Sequence, residues 1–179
     1  MQAIIDACKS GRLNARVCVV ISNNSGATAL QRARSEGIPA LHLSAGVIGD
    51  PGALERRMLD ALLEHKADLV FLAGYLKKIG YGILSAYENR ILNVHPSLLP
   101  KHGGKGMHGL NVHRAVLEAG ETETGVTIHR VSAEYDSGEI VAQARVPVLA
   151  GDSPETLAAR VLAREHELIV EVLESLSRA

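Results

Sequence analysis

Short apolar runs alternate with stretches of helical periodicity through the first two thirds of the chain. Residues 16–22 (RVCVVIS), 40–43 (ALHL) and 68–73 (DLVFLA) read as strands, and the first and third are apolar almost throughout, as strands buried on both faces of a parallel sheet are. Between them the spacing predicts helices over about 27–36 and 51–66. Gly37 stops the first, and Asp50-Pro51 starts the second with an N-cap and a proline at the first helical position. Alternation of this kind predicts βαβ crossovers. A further helical pattern, residues 2–9, opens the chain.

A fourth strand, 90–94 (RILNV), runs into His95-Pro96, and the texture then changes. Residues 96–109 carry two prolines and four glycines and are predicted as loop, followed by a helix over about 110–119. Two alternating runs, 125–132 and 140–148, flank AEYDSGE and predict paired strands. Asp152-Ser153-Pro154-Glu155 is a strong helix start, with the helix running to about residue 176. The fold class predicted is α/β and Rossmann-like: a mostly parallel sheet flanked by helices, with an antiparallel strand pair toward the C-terminus.

Composition narrows the function classes. The 179 residues carry 19 Lys+Arg and 20 Asp+Glu, a net charge of −1, so no electrostatic reason exists to expect nucleic acid or a membrane surface as partner. With no Trp and one Phe there is no aromatic platform for single-stranded nucleic acid. No apolar run approaches the roughly 18 residues that span a bilayer. Two cysteines, Cys8 and Cys18, fit neither a disulfide framework nor a zinc knuckle, and are expected as small core residues. A cytoplasmic protein is expected, monomer or homodimer.

The candidate chemistry centres on Asn93, His95 and Asp136. Period 2 puts Asn93 and His95 on one side of the fourth strand at its carboxyl end, where open α/β sheets bind ligands. Asp136 lies in the loop between the paired strands, from which it can return to the same crevice. As a set they suit acyl transfer to an amine without a covalent intermediate: Asn93 and a protonated His95 stabilise an oxyanion, while Asp136 favours the charged imidazole and helps relay a proton. No G-x-S-x-G elbow is present, and neither cysteine sits in a His-rich loop. Taken singly, each of the three also reads as a turn or packing residue. Glu165 falls within the apolar stripe Leu157, Val161, Leu168, Ile169, Val172 and Leu176 of the last helix, and so needs a partner: a polar ligand group such as a sugar hydroxyl, or a structural donor. His102, His108 and His113 lack metal-site spacing, and no metal is expected. GGKGMHG shares only its glycines with a phosphate loop.

Residues 91–167, with N-x-H-P-S-L-L-P at 93–100 and the later Asp136-x-Gly138, closely resemble the formyltransferase family that uses 10-formyltetrahydrofolate, and within it the branch acting on glycinamide ribonucleotide in purine synthesis. The resemblance extends back through LAGYLKKIG to the start of the chain. It implies that Asn93, His95 and Asp136 are catalytic. It implies that Tyr75, Leu76, Lys77, Lys78 and Ile79 line the pterin pocket, with Asn93 and the facing loop Ala133, Glu134, Tyr135 and Asp136. Pro96, Ser97 and Glu165 are implied in binding the glycinamide substrate. The cosubstrate implied is 10-formyltetrahydrofolate.

Complete relatives in that family begin with a strand and a G-x-G-S-N-L-type loop that binds the substrate phosphate. Met1 stands at about the Leu of that loop, so residues 1–179 are expected as a single formyltransferase domain lacking a central strand and most of its phosphate site, poorly stable or nearly inactive as given. Two rival readings stay open: another folate-dependent N-formyltransferase, and a non-catalytic folate-binding remnant.

Overall fold

The computed structural model describes residues 1–178. In chain order the elements are α1 (Gln2–Lys9), β1 (Val20–Ser22), α2 (Thr28–Ser35), β2 (Ala40–His42), α3 (Ala45–Ile48), α4 (Pro51–Glu64), β3 (Val70–Leu72), α5 (Tyr81–Ala86), β4 (Ile91–His95), α6 (Leu110–Glu118), β5 (Glu123–Arg130), β6 (Ile140–Pro147) and α7 (Pro154–Ser177). The fold is the α/β arrangement that the hydrophobic pattern predicts. Helix starts follow the sequence signals: the Asp50 carboxylate accepts from the Ala53 N–H with Pro51 at the first turn of α4. Ser153 and Thr156 form a reciprocal capping box at α7.

Two ladders are parallel, β1 with β2 and β3 with β4, and two are antiparallel, β4 with β5 and β5 with β6. These form two sheets, β1-β2 and β3-β4-β5-β6. β1 pairs with β2 and β3 with β4 over three residues each. The strand predicted from residue 16 begins only at Val20, the first residue with a ladder partner. Two short helices, α3 and α5, escape the periodicity reading because four and six residues are too few to display it. Cys8 and Cys18 are free and half-buried, Cys8 packing against the small cluster of Ala7, Leu13 and Val170, and Leu176 lies 39% exposed near the end of α7.

Alternation along β4 distributes its residues between two faces. Leu92 and Val94 enter the main core with Val126, Ile128, Leu157, Val161 and Ile169, which joins β4 and β5 to α7. Ile91 enters a second core with Leu62, Ile83 and Tyr87, under α4 and α5. Asn93 and His95 share the Ile91 face, so both polar side chains emerge together at the end of the strand.

The chain leaving β4 is pinned by one buried hydroxyl. Thr127 Oγ1 on β5 donates to the Ser97 carbonyl (2.6 Å) and accepts from the Leu99 N–H (3.0 Å) and from Gln143 Nε2 (2.9 Å). Ser97 Oγ donates to the Lys101 carbonyl at 2.7 Å, closing the turn. Thr127 is completely buried, so Thr127→Val keeps its shape while stripping acceptors from two donors. A loss of about 2–4 kcal/mol in denaturant unfolding is expected; a loss below about 0.5 kcal/mol would show that the loop holds itself.

Candidate active site

The antiparallel register sets Asn93 opposite His129 and His95 opposite Thr127. Asn93 Nδ2 and His129 Nε2 are 3.0 Å apart, and His129 Nδ1 lies 2.8 Å from the Arg130 carbonyl. A carbonyl only accepts, so Nδ1 carries a hydrogen, and in that tautomer Nε2 accepts from the Asn93 amide. One amide hydrogen of Asn93 is thereby fixed and the other is left to a ligand. His129 was not singled out by sequence reasoning. The signal that finds it is the cross-strand register, which a single strand pattern does not carry.

His95 is 3% exposed and donates from Nε2 to the His102 carbonyl at 2.8 Å. Its Nδ1 faces Asp136 Oδ2 at 3.5 Å, and Asp136 Oδ1 lies 3.5 Å from His129 Nε2. The loop between β5 and β6 carries Asp136 there by a turn that only glycine permits: a Cβ on Gly138 would stand 1.8 Å from the Arg130 carbonyl oxygen. Asp136 itself adopts a left-handed backbone, φ 51°. Its second oxygen partner is the Gly104 N–H, which donates to Oδ2 at 2.8 Å.

Electrostatics follow from this packing. Burial pushes the His95 imidazole below its ordinary value, and the His102 carbonyl and Asp136 oppose that shift without reversing it. Burial alone pushes Asp136 upward, but contacts with His129, the Gly104 N–H and the nearby His95 outweigh it and hold the carboxyl below the usual range. His95 is therefore a neutral ring at rest near pH 7, with Nδ1 free to take a proton beside a carboxylate.

The loops 75–79 and 133–136 meet at the mouth of this site. Lys78 Nζ donates to Glu134 Oε2 at 3.0 Å and sits 5.4 Å from the centre of the Tyr135 ring. With Gly104 and Lys105 these residues line a hollow of about 470 Å³. Leu76 is 53% exposed there, Lys77 is exposed, and Tyr75 Oη approaches Met58 Sδ at 4.0 Å. Ile79 instead packs into the core beneath α5. Ala133 is exposed in its loop, Pro96 is half-buried, and Ser97 is buried with its hydroxyl donated within the turn.

Glu165 stands apart from this cluster. It is half-buried on α7, and burial raises its carboxyl above the ordinary value, opposed by the Met1 amine nearby. Among the described residues, no group of three or more His, Cys, Asp or Glu is arranged to hold a metal ion. Nor is any helix among them long and apolar enough to cross a membrane.

The formyl transferase family model matches residues 1–173. The chloroplastic phosphoribosylglycinamide formyltransferase of Vigna unguiculata is 45% identical over 175 residues, 98% of this chain and 56% of that protein. The Escherichia coli K12 phosphoribosylglycinamide formyltransferase is 40% identical over 168 residues, 94% of this chain and 77% of that one. The crystal structure of glycinamide ribonucleotide transformylase 1 from Symbiobacterium toebii superposes with a TM-score of 0.91 at 42% identity, covering 99% of this chain and 81% of that one. The chain spans a little over half the length of the plant relatives it matches.

The buried histidines make stability pH-dependent. His113 on α6 is 4% exposed, and burial lowers it as it lowers His95. A histidine lowered on folding contributes stability that is full above its unfolded value, about 6.5, and is lost as pH falls through the folded value. Glu165 acts oppositely, its contribution being lost as pH rises through its folded value. The melting temperature is expected to fall as pH drops from about 6.5, and less steeply in His113→Leu, where Glu165 cancels in the comparison. Parallel curves for the two proteins would refute the assignment.

Proposed function

The chain belongs to the formyl transferase family, and from that premise we propose that it transfers the formyl group of 10-formyltetrahydrofolate to the amino group of glycinamide ribonucleotide. The observation that carries the reading is the convergence of Asn93, His95 and Asp136 at the carboxyl end of β4, linked by contacts of 3.5 Å or less through His129.

In this reading the loops 75–79 and 133–136 hold the folate, with the hollow beside Asp136 as its entrance. Pro96 and Glu165 are assigned to the amine substrate, and Ser97, fully buried with its hydroxyl donated to the Lys101 carbonyl, holds the turn behind Pro96. The amine nitrogen attacks the formyl carbon directly. A new C–N bond forms, the bond to the folate nitrogen breaks, and one proton passes from the amine to the leaving nitrogen. Charge collects on the formyl oxygen, where the free amide hydrogen of Asn93 meets it.

His95 works through Nδ1, because Nε2 is tied to the His102 carbonyl. A proton arriving at Nδ1 makes an imidazolium flanked by Asp136, whose positive charge stabilises the oxyanion. Asp136 thus orients the ring, stabilises its charged form and assists removal of the amine proton. This chemistry needs no metal. The chain acts as a monomer or homodimer in the cytoplasm.

Formyl transfer from 10-formyltetrahydrofolate to glycinamide ribonucleotide by the purified chain tests the reading. His95→Ala and Asp136→Asn are each expected to lower kcat by about 10²–10⁴-fold with little change in melting temperature. Near-normal kcat in either variant would overturn the proposed roles, and folate binding without turnover in the parent would replace the enzyme with a binding module.

A further inference from the structure

The glycine-rich segment 102–109 does more than connect β4 to α6. Three consecutive backbone positions grip the His95–Asp136 couple. The His102 carbonyl accepts from His95 Nε2 at 2.8 Å, and the Gly104 N–H donates to Asp136 Oδ2 at 2.8 Å. Between them, Gly103 lies so close that an added Cβ would stand 2.5 Å from Leu99 Cδ2 and 3.4 Å from Asp136 Cβ. A ring held at one nitrogen and a carboxylate held at one oxygen have little freedom left relative to each other.

Sequence and backbone agree on why glycine stands at these positions. Gly103 leaves no room for a side chain, and Gly104 adopts φ 96°, a conformation L residues rarely take. The segment is itself anchored at its start. Lys101 Nζ lies 2.9 Å from Glu121 Oε1, and His102 Nε2 lies 3.6 Å from the same oxygen, tying the turn to the chain ahead of β5.

We propose that the backbone turn His102–Gly103–Gly104 is the positioning device for the reaction, fixing His95 and Asp136 in their reactive relation, so that its integrity governs turnover rather than substrate affinity. This rests on the formyl-transfer reading for its kinetic consequence. Its physical content, the grip of one backbone amide on Asp136, does not.

That difference gives a test with two independent readouts. Gly104→Ala forces the backbone away from φ 96° and breaks the bond to Asp136. Gly106→Ala is the control, since Gly106 is also left-handed at φ 88°, has equally open space for a Cβ and makes no bond to Asp136. Groups facing the Asp136 carboxylate are His95 from β4, His129 from β5 and the Gly104 amide. Losing the last removes a donor that favours the ionised form, so the Asp136 titration moves upward.

In ¹³C-detected carboxyl titrations of the free protein, Asp136 is expected to titrate at higher pH in Gly104→Ala and as in the parent in Gly106→Ala. In the transfer assay, kcat falls about 10–100-fold in Gly104→Ala with the KM for glycinamide ribonucleotide within about threefold, and the acid limb of its pH profile moves up. If Gly104→Ala melts too low to assay, Gly103→Ala serves, because its Cβ displaces Leu99 or Asp136 in the same turn. An unchanged Asp136 titration, or equal loss of kcat in Gly106→Ala, overturns the proposal. A parent without transfer activity overturns the formyl-transfer reading and leaves the titration to decide the grip.

Discussion

In the ladder between β4 and β5, Asn93 lies opposite His129 and His95 opposite Thr127, and a slip of one residue would turn both pairs to the other face. Register is strongly specified here because the intervening residues, Leu92 and Val94 on β4 and Val126 and Ile128 on β5, all lie in the main core. The apolar face therefore fixes the polar one. Once the register is set, Thr127 meets the chain leaving β4, His129 meets Asn93, and the loop after β5 delivers Asp136 to His95.

Burying so many polar groups in one place is tolerable only because nearly every one has a partner. His95 is satisfied at Nε2 by a backbone carbonyl, His129 at both nitrogens, and Asp136 by the Gly104 amide, with two imidazole nitrogens 3.5 Å away. The network is built largely from backbone groups, whose positions depend on turns rather than on rotamers. A His–carboxylate couple held this way undergoes little reorganisation when a proton moves across it, which is the condition for electrostatic stabilisation of a developing charge.

Much of this was legible in the sequence, because it depends on local patterns. Strand alternation puts Asn93 and His95 on one side, Asp50-Pro51 and Ser153-Pro154 start two helices, and the AEYDSGE segment separates two paired strands. What stayed hidden depends on pairs of residues distant in sequence. His129 gains its place from a register set 36 residues away, and Gly104 from a contact spanning 32. The strand predicted at 16–22 is shorter because a strand needs a ladder partner as well as an apolar run, and β1 finds one only from Val20; β1 and β3 are also half-buried rather than buried on both faces. Glu165 shows the complementary limit: a charge inside an apolar stripe announces itself, but its neighbour there is the Met1 amine, which no pattern on α7 reveals.

Left-handed backbone is the physical feature that unites the sequence motif with the chemistry. Among the described residues, four that are not glycine adopt it: Lys66, Asn89, His102 and Asp136. Lys66 follows α4 and Asn89 precedes β4, ordinary turn positions, and asparagine tolerates the conformation well. His102 and Asp136 both sit in the site, where each costs about 1–2 kcal/mol relative to an unstrained residue. Such a conformation persists only where its surroundings over-determine it. For Asp136 the surroundings are the Gly138 turn and the Gly104 amide, and for His102 they are the bond from its carbonyl to His95 and the approach of its ring to Glu121. The two strained residues thus brace each other through the His95–Asp136 couple, and the glycines between and beside them are what let two loops close on one carboxylate.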